Sequence, residues 1–203
     1  MSRLIFVPQY PISMRYAEFF YIEFPKNLSK YFDEIIILGD AFIQCMFSGN
    51  NLKDGGLFSS RELSIGLESE QAMEYLKLDF YDDDCLLLMD LSYPGFFSNV
   101  LYHKPMKNTF AYLHASSKNN LDIFGKVRYS KYPCEVAHSK LFKKIFVGSQ
   151  YHKNKLGWKN IEVIGLPIPP FDVYKEKKKY DIISVSRPSI QKINKKLEDQ
   201  VER

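Results

Sequence analysis

Cysteine is scarce in this chain: Cys45, Cys85 and Cys134 are the full complement among 203 residues, odd in number and widely spaced. That excludes a disulfide framework, and no metal-ligand spacing links them to the four histidines. A reducing cytoplasm is therefore the expected compartment. No segment reaches the roughly 18 apolar residues needed to span a bilayer. The early apolar run Leu4 to Val7 stops at Pro8 and is too short for a signal peptide. The Asn27-Leu28-Ser29 sequon has no meaning in that setting. Also missing are G-x-S-x-G, the Walker A pattern and a G-x-G-x-x-G after the first strand. The last absence argues against a nicotinamide-dependent dehydrogenase or epimerase. Most of the chain lacks excess charge as well. Residues 1–174 hold nineteen basic and nineteen acidic side chains, and the net +4 comes from nine Lys/Arg against five Asp/Glu between Lys175 and Arg203. The body therefore has no electrostatic footprint of a nonspecific DNA binder.

What is present suits one ordinary domain with the start of a second. Hydrophobic residues make up 45% and charged residues 26%, enough to bury a real core. The 16 Phe and 14 Tyr are many for this length and are expected mainly in that core.

Hydrophobic periodicity orders the chain as alternating strands and helices. Strands are expected at Leu4–Val7, Glu34–Leu38, Cys85–Met89, Thr109–Leu113, Lys144–Val147 and Ile161–Ile164. Ser13 is expected to cap a helix with Ala17, Phe20, Tyr21, Phe24 and Leu28 on one face, kinked or split at Pro25. Residues 41–58, with Gly49, Asn50, Asn51, Gly55 and Gly56, read as an irregular excursion. The Ser59/Glu62 capping box opens a helix reaching about Leu78, with Gly66 weakening it. Further helices are expected from Pro94-Gly95 to Tyr102, around Cys134–Phe142 and over Gln150–Leu156. The pattern predicts an α/β fold, a Rossmann-like parallel sheet flanked by helices over residues 1–165. Ligands of such sheets bind beyond the carboxyl ends of the strands, so Pro8–Arg15, Asp90–Gly95, His114–Asp122 and Gly148–His152 form the expected rim. Asp82-Asp83-Asp84 suggests a metal-binding carboxylate cluster, but it precedes a strand, where solvated loop acids are common, and is read as a solvated loop.

The three prolines between Pro167 and Pro170 mark a linker over residues 166–179. A new strand, Asp181–Val185, and a helix capped by Ser189, with Ile190, Ile193, Leu197 and Val201 on one face, then open an incomplete second unit over residues 180–203. Between them Arg187 and Lys192 place two cations at a helix start, an arrangement suited to a diphosphate. At this point the chain resembles retaining GT-B glycosyltransferases. Their second domain opens with a strand, an Arg and a Lys that clasp the diphosphate of a nucleotide sugar. The stretches Phe146-Val147-Gly148-Ser149 and Val163-Ile164-Gly165-Leu166-Pro167 look like the end of that family's first domain. A narrower resemblance, to bacteriophage-type members, rests on Phe6-Val7-Pro8-Gln9-Tyr10-Pro11 with Arg15-Tyr16, and on Asp90 with Pro94-Gly95. It extends to His114-Ala115-Ser116 with Asn120 and Asp122, and to Tyr151-His152. Pro8-Gln9-Tyr10-Pro11 stands where many relatives carry a glycine-rich loop, so the acceptor pocket is expected to differ in shape.

The resemblance implies sugar transfer from a nucleotide-diphosphate sugar with retention, without a metal or other cofactor. The acceptor is unknown, modified phage DNA or a glycan being candidates. It gives Arg187 and Lys192 to the donor diphosphate. Gln9, Tyr10, Arg15, Tyr16 and His152 go to acceptor binding, and His114 and Asp90 to catalysis. His114 would bond a sugar hydroxyl or else serve as a structural histidine. Asp90 would orient His114, bind an acceptor hydroxyl or cap the following helix. Glu135 could face the cleft, but as a helix carboxylate it is expected at the surface, as are His103 and His138. With one side of the cleft, the chain is expected to be inactive alone, as an enzyme half or as a non-catalytic binding module that needs a partner.

Overall fold

The computed structural model describes residues 2–8, 21, 23–48, 60–91, 96–118 and 132–165, with the side chains of 46–48, 60–64 and 96–98 left aside. Six strands, β1 (Arg3–Val7), β2 (Glu34–Ile37), β3 (Cys85–Leu88), β4 (Asn108–Leu113), β5 (Lys144–Val147) and β6 (Ile161–Val163), form one sheet in the order β2-β1-β3-β4-β5-β6. Every pairing is parallel, with Ile5 beside Leu86, Leu87 beside Phe110 and Ala111 beside Ile145. Six helices accompany them among the described residues: α1 (Phe24–Leu28), α2 (Asp40–Ser48), α3 (Ser60–Lys77), α4 (Phe96–His103), α5 (Tyr132–Ser139) and α6 (Gln150–Leu156). The expected doubly wound, Rossmann-like parallel sheet is therefore present.

The strands read as continuous apolar runs because both faces are covered. Successive side chains leave a strand on opposite faces, and the core divides accordingly. Ile5, Val7, Leu86, Leu88, Ala111, Leu113, Ile145 and Val147 belong to one buried cluster. Leu4, Phe6 and Tyr112, with Leu87 and Phe146 against them, belong to the other. Each such Leu, Ile or Phe contributes about 1.5–3 kcal/mol on leaving water. Tyr112 also donates its hydroxyl to the Gly165 carbonyl at 2.9 Å, fixing the chain where it leaves the sheet.

Two expectations, the irregular start at residue 41 and a solvated Asp84, need correction. Residues 40–48 are helical, because this stretch lacks the glycines that follow it. Gly39, at φ +76°, turns the chain from β2 into α2, and a Cβ there would stand 2.5 Å from Leu67 Cδ1. Pro25 occupies the first turn of α1, where its missing N–H costs nothing, as the expected split at that proline allows. Asp84 is buried rather than solvated, although Asp82 and Asp83 are exposed. Its carboxylate receives Arg3 Nε at 3.0 Å, Arg3 Nη2 at 2.6 Å and the Tyr81 amide at 2.8 Å. That pairing holds the Asp84 carboxyl below its usual range and the Arg3 guanidinium above its own. Gly66 does not break α3. A Cβ there would approach the Phe42 ring to 3.1 Å, so glycine lets α2 and α3 sit close. The helix expected from Ser13 to residue 20, the linker and the second unit lie outside the described residues.

Candidate functional site

Two of the four expected rim segments meet. The turn after β4 and the start of α6 line a cleft of about 230 Å³, formed by His114, Ala115, Ser116, Lys118, Ser149, Tyr151, His152, Lys155 and Leu156. It lies beyond the carboxyl ends of β4 and β5, as the parallel topology requires. The reversal of strand order falls between β1 and β3, away from this cleft.

Local sequence explains each wall. Leu113 ends β4 fully buried, and the chain then turns polar, so the next residue stands at the sheet's edge. His114 packs on Tyr112 with ring centroids 4.5 Å apart. Its imidazole hydrogen-bonds the Met89 backbone, and Met89 directly precedes Asp90. Burial lowers the His114 pKa to about 4, the Met89 bond opposes that effect, and nearby His152 adds to it. At neutral pH the ring is therefore uncharged and fit for hydrogen bonding with a hydroxyl. Across the cleft, Ser149 caps α6 by accepting the His152 amide at 3.2 Å. Gly157 closes the helix in the left-handed conformation, φ +71°. Burial also lowers the His152 pKa.

The turn carrying His114 is held from behind. Glu135 on α5 is completely buried and accepts the Ser116 hydroxyl at 2.6 Å and the Ser117 amide at 2.8 Å. Ser116 Oγ in turn accepts the Lys118 amide at 3.1 Å. Ser117 is buried too, and its hydroxyl has no partner among the described residues. The expected surface position of Glu135 is thus overturned: its helix turns that side chain onto the β4 turn. His138, one turn further on, is half-buried, its Nδ1 is shielded from solvent, and desolvation lowers its pKa. That also departs from the expected surface residue. His103 is exposed and meets Tyr102 edge-on.

Among the sequence-predicted site residues, His114 and His152 share the cleft. Asp90 is buried beyond β3 and is not part of the lining. The amide of its neighbour Leu91 bonds the Tyr112 carbonyl at 3.0 Å, so the chain there runs beside the end of β4. Gln9, Tyr10, Arg15, Tyr16, Arg187 and Lys192 lie outside the described residues. Lys118 falls within the expected rim segment His114–Asp122 without being singled out, whereas sequence reasoning missed Lys155 as a cleft residue and Glu135 as the support. Lys155 follows Tyr151 by four residues, so helical spacing alone puts both on one face of α6. No such signal marks Glu135, whose partners stand 18 and 19 residues away.

Among the described residues no group of His, Cys, Asp and Glu is arranged to hold a metal ion, and no helix is long and apolar enough to cross a membrane. Compared with protein-family models, curated proteins and solved structures, the chain finds no match in any of the three.

Proposed function

We propose that this chain is the acceptor-side, Rossmann-like half of a retaining GT-B glycosyltransferase, handling a sugar at the carboxyl edge of its sheet. The observation that carries the reading is an uncharged His114 at the end of β4, sharing one cleft with His152. Neutral imidazoles and serine hydroxyls both donate and accept hydrogen bonds, which matches the hydroxyls of a sugar.

In the reaction, the bond from the sugar's anomeric carbon to the donor diphosphate breaks, and a bond to an acceptor oxygen forms on the same face. Arg187 and Lys192 supply fixed positive charge to the departing diphosphate, so electrostatic stabilisation provides most of the rate. His114 holds a hydroxyl of the transferred sugar, and Asp90 supports the rim beside it. Gln9, Tyr10, Arg15, Tyr16 and His152 bind the acceptor, for which modified phage DNA and a glycan are the candidates. Closure against a complete donor-binding domain would exclude water. Alone, the chain binds nucleotide sugars weakly and does not turn them over.

Calorimetric titration with a panel of nucleotide-diphosphate sugars tests this reading. Saturable binding is expected, weakened by Arg187→Ala and by Lys192→Ala, with no steady hydrolysis. Unimpaired binding in both variants removes the diphosphate assignment. Binding of a nicotinamide dinucleotide in place of nucleotide sugars rejects the glycosyltransferase reading.

A further inference from the structure

Among the described residues the lining of the cleft is one-sided in charge: Lys118 and Lys155 both contribute to it, and no described Asp or Glu does. Among the described residues neither ammonium forms an ion pair; the three present join Arg3 to Asp84, Lys107 to Asp82 and Lys144 to Glu162. Glu135, the carboxylate behind the turn, is buried and occupied by Ser116 and Ser117, so it offers the lysines no counter-charge at the cleft surface. Each lysine instead lies by an aromatic ring, Lys118 Nζ 5.2 Å from the Tyr132 centroid and Lys155 Nζ 5.9 Å from that of Tyr151. Both histidines are uncharged at neutral pH, which leaves the lysines as the source of positive field.

A concave site lined by one sign of charge concentrates ligands of the other sign. Neutral donors accompany the cations here: the Tyr151 hydroxyl, the imidazoles and the Ser149 hydroxyl. Phosphate oxygens and sugar hydroxyls together would use both sets. At about 230 Å³ the space falls below the roughly 300 Å³ at which pockets for drug-sized ligands begin, so the occupant is small. Together with the charge balance of residues 1–174, that size disfavours a nucleic-acid strand.

We propose that the cleft between the β4 turn and α6 binds a phosphorylated monosaccharide, its phosphate between Lys118 and Lys155 and its hydroxyls on His152, beside the transferred sugar held by His114. This rests on the sugar-handling reading above and specifies the acceptor as an anion. It adds a binding role for Lys118 and Lys155.

The test uses the intact chain, with a hexose 6-phosphate, the matching free hexose, inorganic phosphate and a short single-stranded oligonucleotide as probes in calorimetry. The hexose phosphate is expected to bind at least about tenfold tighter than the free hexose, the span of one charge-assisted hydrogen bond. Lys118→Met and Lys155→Met should each weaken it by about five- to tenfold. Lys107→Met, exposed at the opposite edge of the sheet, should leave it unchanged. Both cleft lysines are exposed, so circular dichroism of these variants is expected to match that of the parent. Equal affinity for hexose and hexose phosphate overturns the phosphate while leaving the sugar-handling reading intact. Inorganic phosphate binding as tightly as the hexose phosphate overturns the sugar component. Tighter binding of the oligonucleotide overturns the monosaccharide in favour of a strand. If none of the sugars binds while nucleotide sugars do, the inference fails and the donor assignment survives.

Discussion

At the amino edge of the sheet, Arg3 and Asp84 meet at 2.6 Å, Arg3 also reaches the Asp79 carbonyl, and Asn108 bridges the carbonyls of Asp82 and Asp84. At the carboxyl edge, a buried glutamate holds two serines, two imidazoles are kept neutral, and two lysines pair with no carboxylate among the described residues. The first edge matches its charges internally, and the second leaves them turned toward a cleft. A parallel sheet needs both: one end is closed by its own side chains, and the other stays open to a visitor.

Removing a partner from the closed edge should have the largest effect. Asp84→Ala would strand the Arg3 guanidinium and the Tyr81 amide, costing about 4 kcal/mol in urea unfolding. A cost indistinguishable from that of an exposed aspartate would erase the contrast between the edges. Next in size is the pH response of the open edge. His114 keeps a pKa of about 4 when folded, whereas the unfolded chain takes up the proton near the ordinary value. The unfolded state therefore binds more protons between those limits. Stability is full above about pH 6.5 and drains as pH falls toward about 4, by up to roughly 3 kcal/mol. His152 and His138 titrate in the same direction, so His114→Asn should reduce the slope without abolishing it. An identical slope in that variant would contradict burial of a neutral ring.

Glu135→Ala should cost about 2 kcal/mol, because it orphans a buried hydroxyl and a buried amide, and Glu135→Gln should recover part of that. Hydrogen exchange at the Ser117 amide should accelerate in both, with the alanine variant faster. Least affected should be Glu162→Ala. It removes a 2.6 Å pair with Lys144 that is about half exposed on both sides, so no measurable change in the unfolding midpoint is expected. A clear loss there would show that surface pairs hold this sheet more than its core does.

Much of the scaffold was legible because strand and helix periods are local. The six strands were readable to within one residue at each end, since apolar runs such as Leu4–Val7 and Ile145–Val147 stand between turn residues. Helix α2 was hidden by the glycines after it, which made a helical stretch look like the start of a loop. The cleft was legible only in outline. The end-of-strand rule placed His114 and His152 on the rim, but their sharing of one cavity follows from the pairing of β4 with β5. The burial of Asp84 and Glu135 depends on partners 81, 19 and 18 residues distant, beyond the reach of any local pattern.

The bond from Tyr112 to the Gly165 carbonyl has a mechanical corollary. It moors the outgoing chain to the strand that, two residues on, presents His114. Residue 165 thus works as a fixed point: its carbonyl cannot shift without disturbing the strand that carries the imidazole. Substituting Phe for Tyr112 would cut the mooring and leave that carbonyl without its anchor on β4.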